Sequence, residues 1–193
     1  MSTKKGRAAA GRIIAAALDL LRSEGLPALT QPRVAKAAGL RQSHLTYYFP
    51  TRSALVAAVT DSVAAHLTAG FATAVAADRP SALAERVARI AAPEQTRLLL
   101  ALVLAADREK SVRALFRRIT KEIRGQIATS LTRNGIDASG NAVALFHALT
   151  VGLAVLDLAR AEPAARRETR AAVALALGQL PKRPLPNPRR TRA

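Results

Sequence analysis

Val34-Ala-Lys-Ala-Ala-Gly39-Leu-Arg-Gln-Ser-His44-Leu-Thr-Tyr-Tyr-Phe49-Pro50 is the part of this sequence that says most about its fold. Val34, Ala35 and Ala38 form a small-residue face, and Gly39 stops their helix after about two turns. A second short helix follows through Gln42, His44, Leu45 and Tyr48, and Pro50 ends it. Two short helices joined at a glycine, with alanines where they cross, make a helix-turn-helix. Leu45 and Phe49, four apart, are the inward anchors of the second helix. Arg41, Gln42, Ser43, His44 and Tyr47 lie on its outer side, and all carry groups that reach base edges or phosphates. The same spacing also fits an ordinary helical hairpin of an all-α protein.

Upstream, residues 1–10 read as a flexible basic arm, and Ile14, Ala17, Leu18 and Leu21 then recur at helical spacing as far as Gly25. Thr30 is a good N-cap, and Pro32 sits in the first turn, where its missing N–H does no harm. Downstream, Thr51 caps a long helix with Leu55, Val59, Val63, Leu67, Phe71 and Val75 four apart. Asp78-Arg79-Pro80 and Pro93 break the chain again. Leu98–Leu104 is apolar nearly all round, which predicts burial on most sides. Ser111 to about Arg133 is amphipathic, and Asn134-Gly135 ends it. Ala142 to about Ala159 and Ala164 to about Leu180 form a helix pair broken at Pro163.

Composition agrees with an all-α protein. The chain has 193 residues, 50% of them hydrophobic, which suits one domain or a small module joined to a larger one and excludes global disorder. Cysteine is absent, so disulfides, thiolate nucleophiles and Cys-based zinc sites are excluded. The net charge is +17, and it is densest at the ends. Residues 1–60 hold 9 basic and 2 acidic groups, and residues 181–193 hold 5 and none. Such asymmetry favours a polyanion partner, because each cation near phosphate releases condensed counterions.

The motif Gly25-Leu-Pro-Ala-Leu-Thr30, then Val34 to Leu40, then Leu45-Thr-Tyr-Tyr-Phe49-Pro-Thr-Arg52-Ser-Ala-Leu55 resembles the N-terminal domain of the tetracycline-repressor (TetR) family over roughly Ile13 to Val59. The resemblance implies an all-α, homodimeric transcription regulator with a three-helix DNA-binding head and a larger helical ligand-binding and dimerisation domain. The division expected is 1–10 arm, 11–50 helix-turn-helix domain, 51–180 effector-binding and dimerisation domain, and 181–193 a disordered basic, proline-rich tail. It further implies that Gln42 and Arg41 read bases with His44 and Ser43. Thr30, Tyr47, Tyr48 and Arg52 would hold the backbone of a double-stranded operator. The sequence departs from the family pattern in three places. Thr46 stands where a Tyr that touches the backbone is usual, Arg52 where Lys is usual, and Arg41 where a capping Ser is common.

The apolar faces of the last two helices exceed what one small core can bury, so Val143, Phe146, Leu149, Gly152, Leu153, Leu156, Val173 and Leu177 are expected at a four-helix dimer interface. A pocket among the helices from Phe71 to Leu158 would be mostly apolar. Its candidate polar and aromatic contacts to a small apolar or amphipathic effector are Arg97, Phe116, Gln126, His147 and Thr150. His147 and Thr150, three apart, share a face. An enzyme has little support: His44, His66 and His147 are far apart in sequence, and neither a His-Glu-x-x-His spacing nor a Gly-rich phosphate loop is present. No metal or cofactor is expected. The longest apolar run, Leu98 to Ala106, is too short to span a bilayer, so a cytoplasmic protein without a membrane partner is expected. The competing classes are a helical-bundle enzyme or small-molecule-binding protein with an incidental basic surface, and a nonspecific DNA-coating protein.

Overall fold

Helix-forming alanine and leucine runs punctuated by Gly and Pro produce helices throughout the computed structural model, which describes residues 4–76, 79–90 and 92–183. The elements are α1 Lys4–Glu24, a 3-10 turn Leu26–Ala28, α2 Gln31–Ala37, α3 Gln42–Tyr48, α4 Arg52–Val75, α5 Pro80–Ile90, α6 Pro93–Arg108, α7 Lys110–Arg133, α8 Gly140–Arg160 and α9 Pro163–Gln179. Proline opens α5, α6 and α9, where its fixed φ suits the first turn and its missing N–H would be unpaired in any case. The all-α reading holds.

Packing divides the chain into two units. One comprises residues up to Ala69 with Glu94–Thr120, and the other Gly70–Pro93 with residues from Lys121 onward. The division expected at residues 50 and 51 falls in the loop between α3 and α4, whereas the packing separates within α4, after Ala69. In the first unit, Ile13, Ala17 and Leu21 of α1 are buried with Leu26, Leu29, Val34, Leu45, Leu55 and Val59. In the second, Phe71, Leu83, Val87, Ile127, Leu131, Phe146, Val173 and Leu177 form one core.

Four expectations need correction. The arm is helical from Lys4, because Ala8-Ala-Ala10 carries the helix back past Gly6. Val103 and Leu104 are exposed, Leu104 by 71%, so α6 presents one apolar edge to solvent rather than burying its whole circumference. Val143, Phe146, Val173 and Leu177, expected at a dimer interface, are buried in the second unit's own core. The large apolar side chains left exposed on α8 and α9 are Leu145 (60%), Leu156 (59%) and Leu175 (66%). Finally, the start of the expected tail is held. Lys182 pairs antiparallel with Ile136, the Asp137 N–H donates to the Pro181 carbonyl (2.8 Å), and the Arg183 N–H donates to the Gly135 carbonyl (3.0 Å). The rest of that tail, 184–193, lies outside the described residues.

Two described helices, Arg52–Val75 and Gly140–Arg160, are long and apolar enough to cross a membrane by length and composition alone. Neither holds a long unbroken apolar run, because polar residues such as Asp61, His66 and Asp157 interrupt their sequences. Both interrupting carboxylates have partners on other helices: Asp61 meets Arg118 at 2.8 Å, and buried Asp157 meets Arg166 at 3.9 Å.

Candidate nucleic-acid interface

The turn between α2 and α3 is closed by the backbone. Gly39 adopts φ +65°, its N–H donates to the Lys36 carbonyl (3.1 Å), and the Leu40 N–H donates to the Ala35 carbonyl (2.9 Å). This pair of bonds is a Schellman motif, and its left-handed residue is almost always Gly. Three side chains brace the turn and its ends. Arg12 of α1 donates to the Ala38 carbonyl (3.0 Å), the Gln31 amide donates to the Phe49 carbonyl (2.7 Å), and Arg52 Nε donates to the Leu29 carbonyl (3.1 Å). An ion pair between Arg33 and Glu24 adds to these at the surface.

Leu45 is fully buried and anchors α3, while Phe49 is only half-buried. With Leu45 inward, Arg41, Gln42, Ser43, His44 and Tyr47 are all exposed, as the sequence pattern predicts. Arg41, Gln42 and Ser43 make no side-chain hydrogen bond among the described residues, so their polar groups are available to a partner. The His44 ring lies 5.6 Å from the Tyr48 ring, which meets Tyr47 edge-on at 5.1 Å. Tyr48 is thereby steadied between its neighbours and half-buried.

Capping is weaker than the sequence promises. Thr30 is the N-cap of α2 by backbone geometry, but its hydroxyl makes no capping bond. Arg41 occupies the N-cap of α3 without a capping side chain. Thr46 turns its hydroxyl back onto the Gln42 carbonyl (2.6 Å), so it does not extend as the family's usual Tyr would. Thr51 does cap, accepting from the Ala54 N–H at 3.0 Å. Arg52, at the first position of α4, also faces Glu109 at 3.7 Å.

The candidate effector residues fall in both units. Arg97 is exposed and Phe116 half-buried in the first. Gln126, His147 and Thr150 belong to the second. The Thr150 hydroxyl donates to the His147 carbonyl (2.9 Å), and Gln126 Oε1 is buried without a hydrogen-bond partner. Burial, and then the positive charge of Arg124, lower the pKa of His147. Sequence reasoning missed the long-range partners, such as Arg118 and Asp61, which lie 57 residues apart and carry no local signal.

A small helical head that anchors one short polar helix and leaves its outer face exposed has the arrangement of helix-turn-helix DNA-binding proteins. Residues 13–59 match the sequence model of the tetR family of bacterial regulatory proteins. No curated protein matches the sequence. Solved structures share the fold over nearly the whole length. A transcriptional regulator of Rhodococcus sp. Rha1 is 20% identical with a TM-score of 0.73, over 88% of this chain and 94% of that one. A TetR transcription regulator of Haloarcula marismortui is 16% identical with a TM-score of 0.73, over 90% and 98%. A protein of Saccharomonospora viridis classed as a transcriptional regulator, solved in complex with choline, is 16% identical with a TM-score of 0.73, over 92% and 100%. Fold and family together support a DNA-binding regulator.

Proposed function

We propose that this chain is a ligand-responsive transcriptional repressor that binds an inverted-repeat operator as a homodimer and is released by a small apolar or amphipathic effector. The observation that carries this reading is the exposed row Arg41, Gln42, Ser43, His44 and Tyr47 on a helix fixed from behind by Leu45. Gln42 and Arg41 read base edges, with Ser43 and His44 beside them. Tyr47, Tyr48, Arg52 and Thr30 hold phosphates, and these contacts position the head without carrying sequence information. Residues 11–50 act as the DNA-reading part, and residues 51–180 bind effector and dimerise.

Leu145, Leu156 and Leu175 support the dimer, joined by half-buried Leu149 and Leu153 and by Gly152, whose missing side chain lets a second backbone approach. Within the second unit, Gln126, His147 and Thr150 are the candidate effector contacts. The unpartnered buried oxygen of Gln126 favours an effector with a hydrogen-bond donor, since a buried acceptor left unpaired is costly. Effector acts by favouring a head spacing that no longer matches successive major grooves, about 34 Å apart. Such action needs differential affinity for two states of the dimer. The protein works in the cytoplasm, where its operator is.

Selection of the purified chain on random duplex DNA at near-physiological salt tests this reading. Nonspecific affinity there is only ~10⁻⁴–10⁻⁶ M, so a selected site stands out. The expected result is enrichment of an inverted repeat. Weak, salt-labile binding to all sequences would overturn it.

A further inference from the structure

We propose that Glu109 sets the DNA affinity of this chain by competing with backbone phosphate for the guanidinium of Arg52. The proposal rests on the phosphate role given to Arg52 above. The Arg52 guanidinium is oriented first by the head itself, through Nε on the Leu29 carbonyl at 3.1 Å. Its terminal nitrogens face Glu109 Oε1 at 3.7 Å, which is ion-pair range but longer than a hydrogen bond. The guanidinium is therefore attracted by Glu109 and not saturated by it. Both side chains reach solvent, Arg52 by 46% and Glu109 by 32%, so a phosphate oxygen has access to the same nitrogens.

The main chain of Glu109 is held in place independently of Arg52. Its N–H donates to the Ala105 carbonyl (2.9 Å) at the end of α6, and its carbonyl accepts from the Arg113 N–H (3.0 Å) at the start of α7. The Arg113 guanidinium fixes the same junction by donating to the Ala106 and Asp107 carbonyls, at 2.9 and 2.8 Å. Further along both helices, Arg118 and Asp61 pair at 2.8 Å. Pairing 52 with 109 and 61 with 118 means that α4 and α7 advance in parallel at a constant register. An open groove of about 490 Å³ lies between the two pairs, floored by Val56, Ala57, Ala114 and Leu115. The backbone that carries the Glu109 carboxylate is held at the α6–α7 junction while the Arg52 side chain turns to DNA. The carboxylate also places a negative charge close to the incoming phosphate.

Phosphate contacts are blind to sequence, so the test needs no operator. A labelled mixed-sequence duplex is titrated at several salt concentrations with the parent chain, Glu109→Gln, Arg52→Gln, the double variant and Asp107→Asn. Asp107 is an exposed carboxylate two residues away and controls for general charge. Glu109→Gln is expected to bind about two- to fivefold tighter, the scale of an exposed ion pair, with a steeper salt dependence. The gain should disappear in the Arg52→Gln background and exceed that of Asp107→Asn. Unchanged or weaker binding by Glu109→Gln overturns the proposal, as does an equal gain with Arg52 absent or from Asp107→Asn. Arg52→Gln binding as tightly as the parent overturns the phosphate role itself. A weakened Arg52→Gln beside an unmoved Glu109→Gln overturns only the competition.

Discussion

At the scale of single residues, the side chains proposed to read DNA and those that hold the fold are separable, and so are their expected defects. The Gln42 side chain is exposed and makes no hydrogen bond among the described residues, so Gln42→Ala should leave the melting temperature unchanged while altering base preference. The loss of discrimination should be ~1–3 kcal/mol at one position of each half-site, read by repeating the selection with the variant. An unaltered preference profile would remove Gln42 from the reading face. His147 allows a different measurement. Burial and Arg124 hold its folded pKa below the ordinary 6.5, so the unfolded chain binds the proton more readily. Stability from this residue is therefore fully present above about pH 6.5 and falls as the pH drops from there towards the folded pKa. His147→Gln should flatten that part of the stability curve in denaturant titrations between pH 7.5 and 5. Arg124→Gln should move the fall towards a higher folded pKa.

Among the elements, what was legible in the sequence is what local geometry alone determines. Gly25, Gly39 and Gly135 all have positive φ, and each lies at a helix end that the pattern marks. The motif at Gly39 recurs after α7, where the Gly135 N–H donates to the Thr132 carbonyl and the Ile136 N–H to the Leu131 carbonyl. Nothing stands within 4 Å of a methyl group built at Gly39, so Gly39→Ala meets only backbone strain. The expected cost is ~1–2 kcal/mol in thermal or denaturant unfolding, with a parallel loss of DNA affinity because α3 is oriented by this turn. What was not legible depends on which side of an element faces inward. α8 is apolar around most of its circumference, so periodicity could not tell Val143 and Phe146, which face the core, from Leu145 and Leu156, which do not. In the same way, the run through Leu104 predicts burial that the structure gives to Leu98 and Leu102 alone among its fully enclosed leucines. The 3-10 turn Leu26–Ala28 had only Pro27 to announce it.

For the whole molecule, the two classes of apolar residue on α8 and α9 make opposite predictions. Leu156→Glu and Leu145→Glu should give folded monomers, seen as halved mass in sedimentation or light scattering with an unchanged helical circular dichroism spectrum. Val143→Asp places an unpaired carboxylate in the core of the second unit and should cost about 3 kcal/mol or more, unfolding the chain before it separates subunits. Folded dimers from both leucine variants would locate the contact elsewhere, with exposed Val103 and Leu104 of α6 the next surface to change. The charge pattern belongs to this scale too. The sequence showed an excess of cations on the first 60 residues, but not that Arg52 shares its charge with Glu109. Composition counts charges without their neighbours, and those neighbours are set by tertiary contacts.

The short antiparallel pairing of Ile136 with Lys182 has a consequence for how the molecule can be handled. It is made by main-chain groups, so Pro181, Lys182 and Arg183 tolerate changes of side chain there but not deletion. The path from Ile136 through α8 and α9 returns to its own starting point, like a buckled strap. A dye or a partner domain grafted after Arg183 is therefore tethered at a fixed address beside Gly135, and not at the free end of a helix.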